Sequence, residues 1–101
     1  MNSSTFTTQQ LKMINECKEM GLDYSSFAKP HIDAFKMQLA FKALRKGKNL
    51  TPYLEKFNHE QLDQILIGLI NNTDVSQYAL TELSGDEMMH KREILEFKMS
   101  K

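Results

Sequence analysis

The side chains that could carry out chemistry are few, and their spacing does not bring them together. The chain has three histidines, His31, His59 and His90, and a single cysteine, Cys17. No two histidines stand four residues apart, so none completes the pair that binds zinc from one helix face. A glycine-rich phosphate loop and a serine–histidine–aspartate pattern are also missing. We therefore predict no enzymatic activity, no catalytic residues, no metal site and no cofactor.

The charged residues balance overall but are unevenly distributed. Lysine plus arginine and aspartate plus glutamate number 13 each, so no net field directs the chain to nucleic acid or to a membrane. Residues 29–48 nevertheless hold six basic side chains and one acidic one, whereas residues 49–87 hold seven acidic and one basic. A basic helix can bind phosphates. The alternative function is therefore a small nucleic-acid-binding protein that uses Lys36, Lys42, Arg45, Lys46 and Lys48.

A different candidate surface comes from apolar residues on the polar side of the predicted helices. At 100° per residue, Phe35 and Leu39 lie opposite the apolar stripe of their helix, and Lys42 and Lys46 continue the same row. Ile67 lies on the corresponding side of the next helix. Short segments of the chain could cover these residues as a second core layer. If they do not, the residues form a lysine-rimmed apolar patch of the kind that binds proteins, and all five are predicted contacts.

A sequence repeat determines how these residues are positioned. Four apolar residues, Phe6, Ile32, Phe57 and Leu83, recur at intervals of 26, 25 and 26 positions. A period of this length indicates a stack of small supersecondary units. Each opening residue precedes a good helix N-cap, and in three units a glutamine or glutamate three positions later can close a capping box. We predict long helices near 8–20, 34–46, 59–71 and 85–98, starting from the caps Thr7, Asp33, Asn58 and Ser84.

Short segments are predicted after the first three helices. Gly21, Gly47 and Asn72 tolerate the left-handed conformation that ends a helix. One or two helical turns then follow in each unit and pack an aromatic residue against the stack, namely Phe27, Tyr53 and Tyr78.

The outer repeats differ from the inner ones at one core-flanking position. Nine residues after the opening residue stand Phe41 and Leu66 in the inner units, but Asn15 and Arg92 in the outer ones. The outer face of a terminal repeat is exposed to solvent and must be polar, so this pattern fits an array of finite length. We predict a single all-α domain over residues 1–101, built as a compact stack of four short helical repeats.

The repeat resembles a short helical repeat of poorly characterised proteins from phages and conjugative elements of Gram-positive bacteria. The third unit carries the resemblance most clearly, with Phe57-Asn58-x-x-Gln61-Leu62-x-x-Ile65-x-x-Gly68-Leu69 and then Asp74-Val75-Ser76-x-Tyr78-Ala79. The second unit departs from it, because Lys48-Asn49-Leu50-Thr51 replaces the usual tail. The resemblance covers nearly the whole chain but consists of structural positions. It implies a helical-repeat fold and an origin in a mobile element, and it carries over no active site.

These observations predict a non-catalytic protein–protein interaction module. Its specific version is a phage or mobile-element protein that binds and inhibits a host factor, such as a CRISPR nuclease or another defence nuclease. The N-terminus does not look like a signal peptide, and no apolar run is long enough to span a bilayer. We therefore expect no membrane partner and a cytoplasmic location in a bacterial host cell. A third alternative is homo-oligomerisation through the C-terminal unit, where Met88, Met89 and Phe97 lie.

Overall fold

The computed structural model describes residues 6–99, which form four α-helices joined by short connections. Helix α1 spans Thr8–Glu19, α2 spans Ala34–Arg45, α3 spans His59–Ile70 and α4 spans Gly85–Met99. Two 3-10 helices lie between them, at Thr51–Tyr53 and Val75–Gln77. No strand occurs in residues 6–99, and the predicted all-α class is confirmed. The terminal residues of the predicted domain, 1–5 and 100–101, lie outside this range.

The helices begin at the capping residues that the sequence predicts. In α1, α3 and α4 the N-cap side chain accepts a hydrogen bond from the backbone N–H three positions on, and that residue's side chain accepts one from the N-cap N–H. These reciprocal pairs are Thr7 with Gln10, Asn58 with Gln61, and Ser84 with Glu87. In α2, Asp33 Oδ1 accepts from the Lys36 N–H at 2.8 Å, and Lys36 has no acceptor with which to close the pair.

The first three helices end in the same way. The residue after each helix cap has a positive φ, of 71° at Gly21, 73° at Gly47 and 61° at Asn72. The next N–H donates to a carbonyl five residues back, from Leu22 to Cys17, from Lys48 to Ala43 and from Thr73 to Gly68. This is the Schellman arrangement, which satisfies carbonyls that the helix leaves unpaired. The predicted helix ends are confirmed.

A buried glutamine joins the first repeat to the second. Gln10 is 3% exposed, and its Nε2 donates to the carbonyl oxygens of Ile32 at 2.7 Å and Pro30 at 3.1 Å. The same side chain caps its own helix through Oε1. One amide therefore pairs with a free backbone N–H at the start of its own helix and also holds the chain segment that leads into the next helix.

The later repeats keep this connection with one substitution. Gln61 Nε2 donates to the carbonyls of Leu83 at 2.6 Å and Thr81 at 3.3 Å. Lys36 stands at the same position of the second repeat, and its Nζ donates to the Leu54 carbonyl at 2.8 Å. The lysine keeps the contact with the following loop but cannot provide the capping acceptor.

The helices lie side by side in chain order, and α1–α2, α2–α3 and α3–α4 are the main packing pairs of the described region. The resulting slab measures 51 × 27 × 16 Å along its principal axes. Its core follows the seams between helices and includes the fully buried Met37, Leu62 and Met88, one from each successive repeat. Every helix in residues 6–99 is too short or too polar to span a bilayer.

A small-residue position lets the short segments reach the core. Cys17, Ala43 and Gly68 occupy this position in the first three repeats, and all are buried. A Cβ at Gly68 would overlap the Tyr78 hydroxyl and lie 2.7 Å from Val75 Cγ1. Tyr78 is fully buried, and its hydroxyl donates to a carbonyl of α3. Glycine is therefore needed there for the tyrosine to pack.

The short segments depart from the prediction in one of the three repeats. Residues 22–28 contain a single hydrogen-bonded turn, in which the Ala28 N–H donates to the Tyr24 carbonyl. Phe27 is 1% exposed as predicted, but Tyr53 is only half-buried, and Leu54 beside it is 1% exposed. The second repeat is one residue shorter than its neighbours, and the shortening lies between Tyr53 and Phe57. In this repeat a leucine, and not the aromatic residue, enters the core.

Three predictions for the outer repeats have different outcomes. Asn15 is exposed, as expected for an end of the stack. Arg92 is half-buried, because its position faces the preceding helix: its Nε donates to Gln64 Oε1 of α3 at 3.0 Å. The prediction that Arg92 forms a polar end face is wrong. Met88 is fully buried and Met89 is half-buried, so Met88 offers no surface for oligomerisation.

The connection through Gln61 gives a prediction for stability. Replacing Gln61 with alanine leaves the carbonyls of Thr81 and Leu83 and one helix-start N–H without their partner, so we expect the free energy of unfolding to fall by about 2–4 kcal/mol. Glu87 stands at the same repeat position but is exposed and makes only the capping bond. Glu87→Ala is the matched control and should cost about 1 kcal/mol or less. Urea denaturation measures both, and equal losses would contradict the proposed connection.

Candidate functional site

The candidate site is built around Phe35, which lies in the first turn of α2. Its side chain is 46% exposed, and its ring meets the His59 ring edge-on with the centroids 4.4 Å apart. His59 is the first residue of α3, and its Nε2 lies 3.0 Å from Oδ2 of Asp33, the N-cap of α2. Such aromatic pairs contribute about 0.5–1.5 kcal/mol beyond their buried area. Two adjacent helix starts therefore hold an exposed aromatic ring in place.

Two histidine–carboxylate pairs link neighbouring repeats, and the Asp33–His59 pair adjoins this ring. Partial burial raises the pKa of Asp33, but the hydrogen bonds from the Lys36 N–H and from His59 outweigh it and hold the pKa below its usual value. A second pair joins His31 Nε2 to Glu55 Oε2 at 3.1 Å, and its hydrogen bond lowers the pKa of Glu55. All four side chains are about half exposed or more. These pairs therefore add little to the free energy of unfolding, and their main effect is on how neighbouring repeats are oriented.

The lysines predicted beside Phe35 are exposed on the same helix. Lys42 lies about two turns beyond Phe35, and Lys46 caps the C-terminal end of α2. A positive charge there is favoured by the helix macrodipole. Gln38 is exposed between Phe35 and Lys42 at helical spacing. We call the exposed row of Phe35, Gln38, Lys42 and Lys46 the α2 ridge.

Leu39 does not belong to the α2 ridge. It is 3% exposed, so the prediction that it forms an exposed patch with Phe35 is wrong. Leu39 stands seven residues after the opening residue of its repeat, the position of Gln64 in the third repeat, and Gln64 contacts Arg92 of the following helix. This position therefore lies in the seam between helices. Ile67, the fifth predicted contact, is half-buried on α3.

A shallow groove runs beside the α2 ridge, between α1 and α2. Its volume is about 380 Å³, and Phe35 and Gln38 line one side of it. Lys12, Met13 and Glu16 line the other side, from α1. Neither this α1 side of the groove nor the contact between Phe35 and His59 was predicted from the sequence. The repeat period could have indicated that contact, because it aligns the caps Asp33 and Asn58, and Phe35 and His59 lie in the first helical turns that follow them.

Two of the basic residues predicted for nucleic-acid binding are engaged within the protein. Lys36 Nζ donates to the Leu54 carbonyl, and Lys48 Nζ donates to Asn72 Oδ1 at 2.6 Å. Both side chains are partly buried. Releasing them to a phosphate would break a contact with the loop that leads into the third repeat and a contact with the third repeat itself.

The other three basic residues are exposed at the C-terminal end of α2. Lys42 and Lys46 belong to the α2 ridge, and the Arg45 guanidinium lies over the Phe41 ring, 5.6 Å from its centroid. The neighbouring α3 exposes carboxylates, including Glu60 and Asp63. The exposed basic surface is therefore smaller than predicted, and the neighbouring helix exposes side chains of the opposite charge.

Three of the four side chains considered for chemistry occupy packing or pairing positions, and the fourth, His90, is exposed on α4. Cys17 is fully buried, and this burial raises the pKa of its thiol, which disfavours the reactive thiolate. His31 and His59 pair with carboxylates of neighbouring repeats. Among residues 6–99, no group of three or more histidine, cysteine, aspartate or glutamate side chains is arranged to hold a metal ion.

Comparison with known proteins gives no relative on which to base a function. No protein-family model matches the chain, and no curated protein and no solved structure match it. The resemblance to a repeat of phages and mobile elements stays a prediction.

The Asp33–His59 pair gives a prediction for pH dependence. Asparagine is also a good N-cap, so Asp33→Asn keeps the cap and removes the paired charge. A pKa lowered in the folded state means that ionised Asp33 stabilises the fold above the ordinary value of 3.8, and that this contribution disappears as the pH falls through the folded-state pKa. We expect the variant to lose on the order of 0.5 kcal/mol near neutral pH and nothing at strongly acidic pH. Urea denaturation across this range tests it, and a pH-independent difference would refute the assignment.

Proposed function

We propose that the protein is a non-catalytic interaction module that binds a protein partner through the α2 ridge. The observation that carries this proposal is Phe35, a large aromatic side chain that is nearly half exposed and held by His59. Aromatic residues in fixed positions are typical of the few side chains that dominate binding energy at protein interfaces. A ring that is already held loses little conformational freedom when a partner covers it.

The spacing along the α2 ridge suggests what the partner presents. Phe35 and Lys42 are seven residues apart, which corresponds to roughly 10 Å along a helix. An apolar pocket for the ring and a carboxylate about 10 Å away would match both side chains. The groove beside Phe35 gives a partner side chain access to Met13.

The specific version of this proposal is a phage or mobile-element protein that inhibits a defence nuclease in the cytoplasm of a bacterial host cell. Its support is the resemblance of the repeat and the distribution of charge. All seven acidic residues of 49–87 are exposed, namely Glu55, Glu60, Asp63, Asp74, Glu82, Asp86 and Glu87. An acidic surface of this kind can occupy a basic channel that a nuclease uses for nucleic acid. The α2 ridge would then fix the protein beside that channel.

The experiment compares two matched double variants in affinity capture from a bacterial lysate treated with nuclease. Phe35→Ala with Lys42→Glu removes the exposed ring and reverses one charge of the α2 ridge, and should abolish partner capture. We expect it to lower the free energy of unfolding by less than about 1.5 kcal/mol, because both side chains are exposed. Met20→Ala with Lys18→Glu changes an exposed apolar residue and an exposed lysine of α1, and should leave capture intact.

The same two double variants test, in a second assay, the proposal that the partner is a defence nuclease. Wild type and the α1 control should slow DNA cleavage by a CRISPR nuclease, and the ridge variant should not. If both variants capture the same protein equally well, the α2 ridge is not its binding site. A large loss of thermal stability in the ridge variant would instead assign Phe35 to the core.

The nucleic-acid alternative makes a different prediction in a gel-shift experiment. With Lys36 and Lys48 engaged within the fold, we expect no shift of DNA or RNA at moderate salt. A shift that weakens steeply with salt and disappears in the double charge reversal Arg45→Glu with Lys46→Glu would replace the protein-binding proposal.

A further inference from the structure

The outer face of α4 is a second surface, distinct from the α2 ridge. One side of α4 packs on the preceding repeat: Arg92 donates to Gln64, and Glu96 accepts from Asn71 and Thr73. The opposite side carries Ile94, which is 56% exposed, and Phe97, which is 64% exposed. They line a shallow groove of about 490 Å³ along the helix.

The exposed residues of this face follow a heptad pattern. Glu87, His90, Ile94 and Phe97 are all exposed and are spaced by three, four and three residues. This is the spacing of the a and d positions of a coiled coil, where side chains of two helices interlock. Ile94 occupies an a position, at which a β-branched residue favours two parallel strands. Phe97 occupies the following d position.

The charges on either side of this row are sorted by sign. Asp86 and Glu93 are exposed at the two g positions, and Lys91 and Lys98 are exposed at the two e positions. In a parallel pair of helices each g residue faces the e residue five positions later in the partner. Asp86 would then meet Lys91 of the second copy, and Glu93 would meet Lys98. In an antiparallel pair, e faces e and g faces g, so like charges would meet on both flanks.

We propose that the outer face of α4 binds a second copy of this chain as a parallel two-helix contact along a two-fold axis. Four oppositely charged pairs, two from each copy, flank a centre made by Ile94 and Phe97 of both. The contact is isologous and closes on itself, so it gives a dimer and not a filament. Because α4 is the last helix of the side-by-side array, the two slabs extend away from each other.

The length of the contact sets its strength. Residues 86–98 cover two heptads, about 20 Å of helix, and only the second heptad has apolar residues at both a and d. Glu87 at the first a position also caps its own helix through Ser84. A contact this small belongs to the weak, reversible class of interfaces, and we expect dissociation in the range of about 10 µM to 1 mM.

Sedimentation velocity of the full chain over that concentration range tests the proposal. The wild-type sedimentation coefficient should rise with concentration. Ile94→Lys should keep the protein monomeric, because it places two like charges at the centre of the contact. Met20→Lys, a change at the 52% exposed C-cap residue of α1, is the matched control and should associate like wild type.

The charge variants test the orientation. In the parallel dimer, Lys98→Glu sets glutamate against Glu93 and should weaken association about tenfold. Adding Glu93→Lys reverses both signs and should restore it. Tighter association of Lys98→Glu would indicate an antiparallel contact and overturn the proposal, as would a wild type that stays monomeric throughout. Phe35→Ala with Lys42→Glu should associate normally, so failure of the partner-binding proposal and failure of this one remain distinguishable.

Discussion

The stack depends on the need to pair the backbone groups where one repeat leads into the next. A helix start leaves N–H groups without partners, and the loop before it leaves carbonyls that the core would otherwise bury unpaired. Gln10 and Gln61 meet both needs with one side chain, accepting at their own helix start and donating to the chain before the next. This fixes the offset between neighbouring helices. Because the offset is fixed, the apolar side chains between neighbouring helices can pack in a single arrangement.

The second repeat departs most from this scheme, and it also carries the candidate site. Lys36 replaces the glutamine, the repeat is one residue shorter, and Leu54 fills the core in place of an aromatic residue. Local rules are most often broken where a protein uses its surface for something other than folding. In this repeat the surface shows an exposed aromatic ring beside lysines. The departures from the repeat pattern and the exposed ring therefore occur in the same repeat.

The sequence predicted those parts of the fold that are determined locally. Helix starts and ends were within a residue or two, because an N-cap such as Asn58 and a left-handed residue such as Gly47 act on their immediate neighbours. The errors concern Leu39 and Arg92, whose burial depends on which flank of a helix meets the next one. A helical wheel assumes one buried direction, whereas a helix within an array has two. For the same reason the sequence could place Phe35 and Lys42 on a surface but could not find the groove beside them.

The side-by-side order of the helices determines where partial unfolding of the protein begins. Each repeat packs mainly on its immediate neighbours, so stability behaves approximately as a chain of nearest-neighbour terms. Fraying begins where a repeat has one neighbour, at α1 and at α4, and reaches the interior last. The Phe35–His59 contact lies across the central seam, between α2 and α3. The ring therefore stays in place during partial openings that already release the ends of the array.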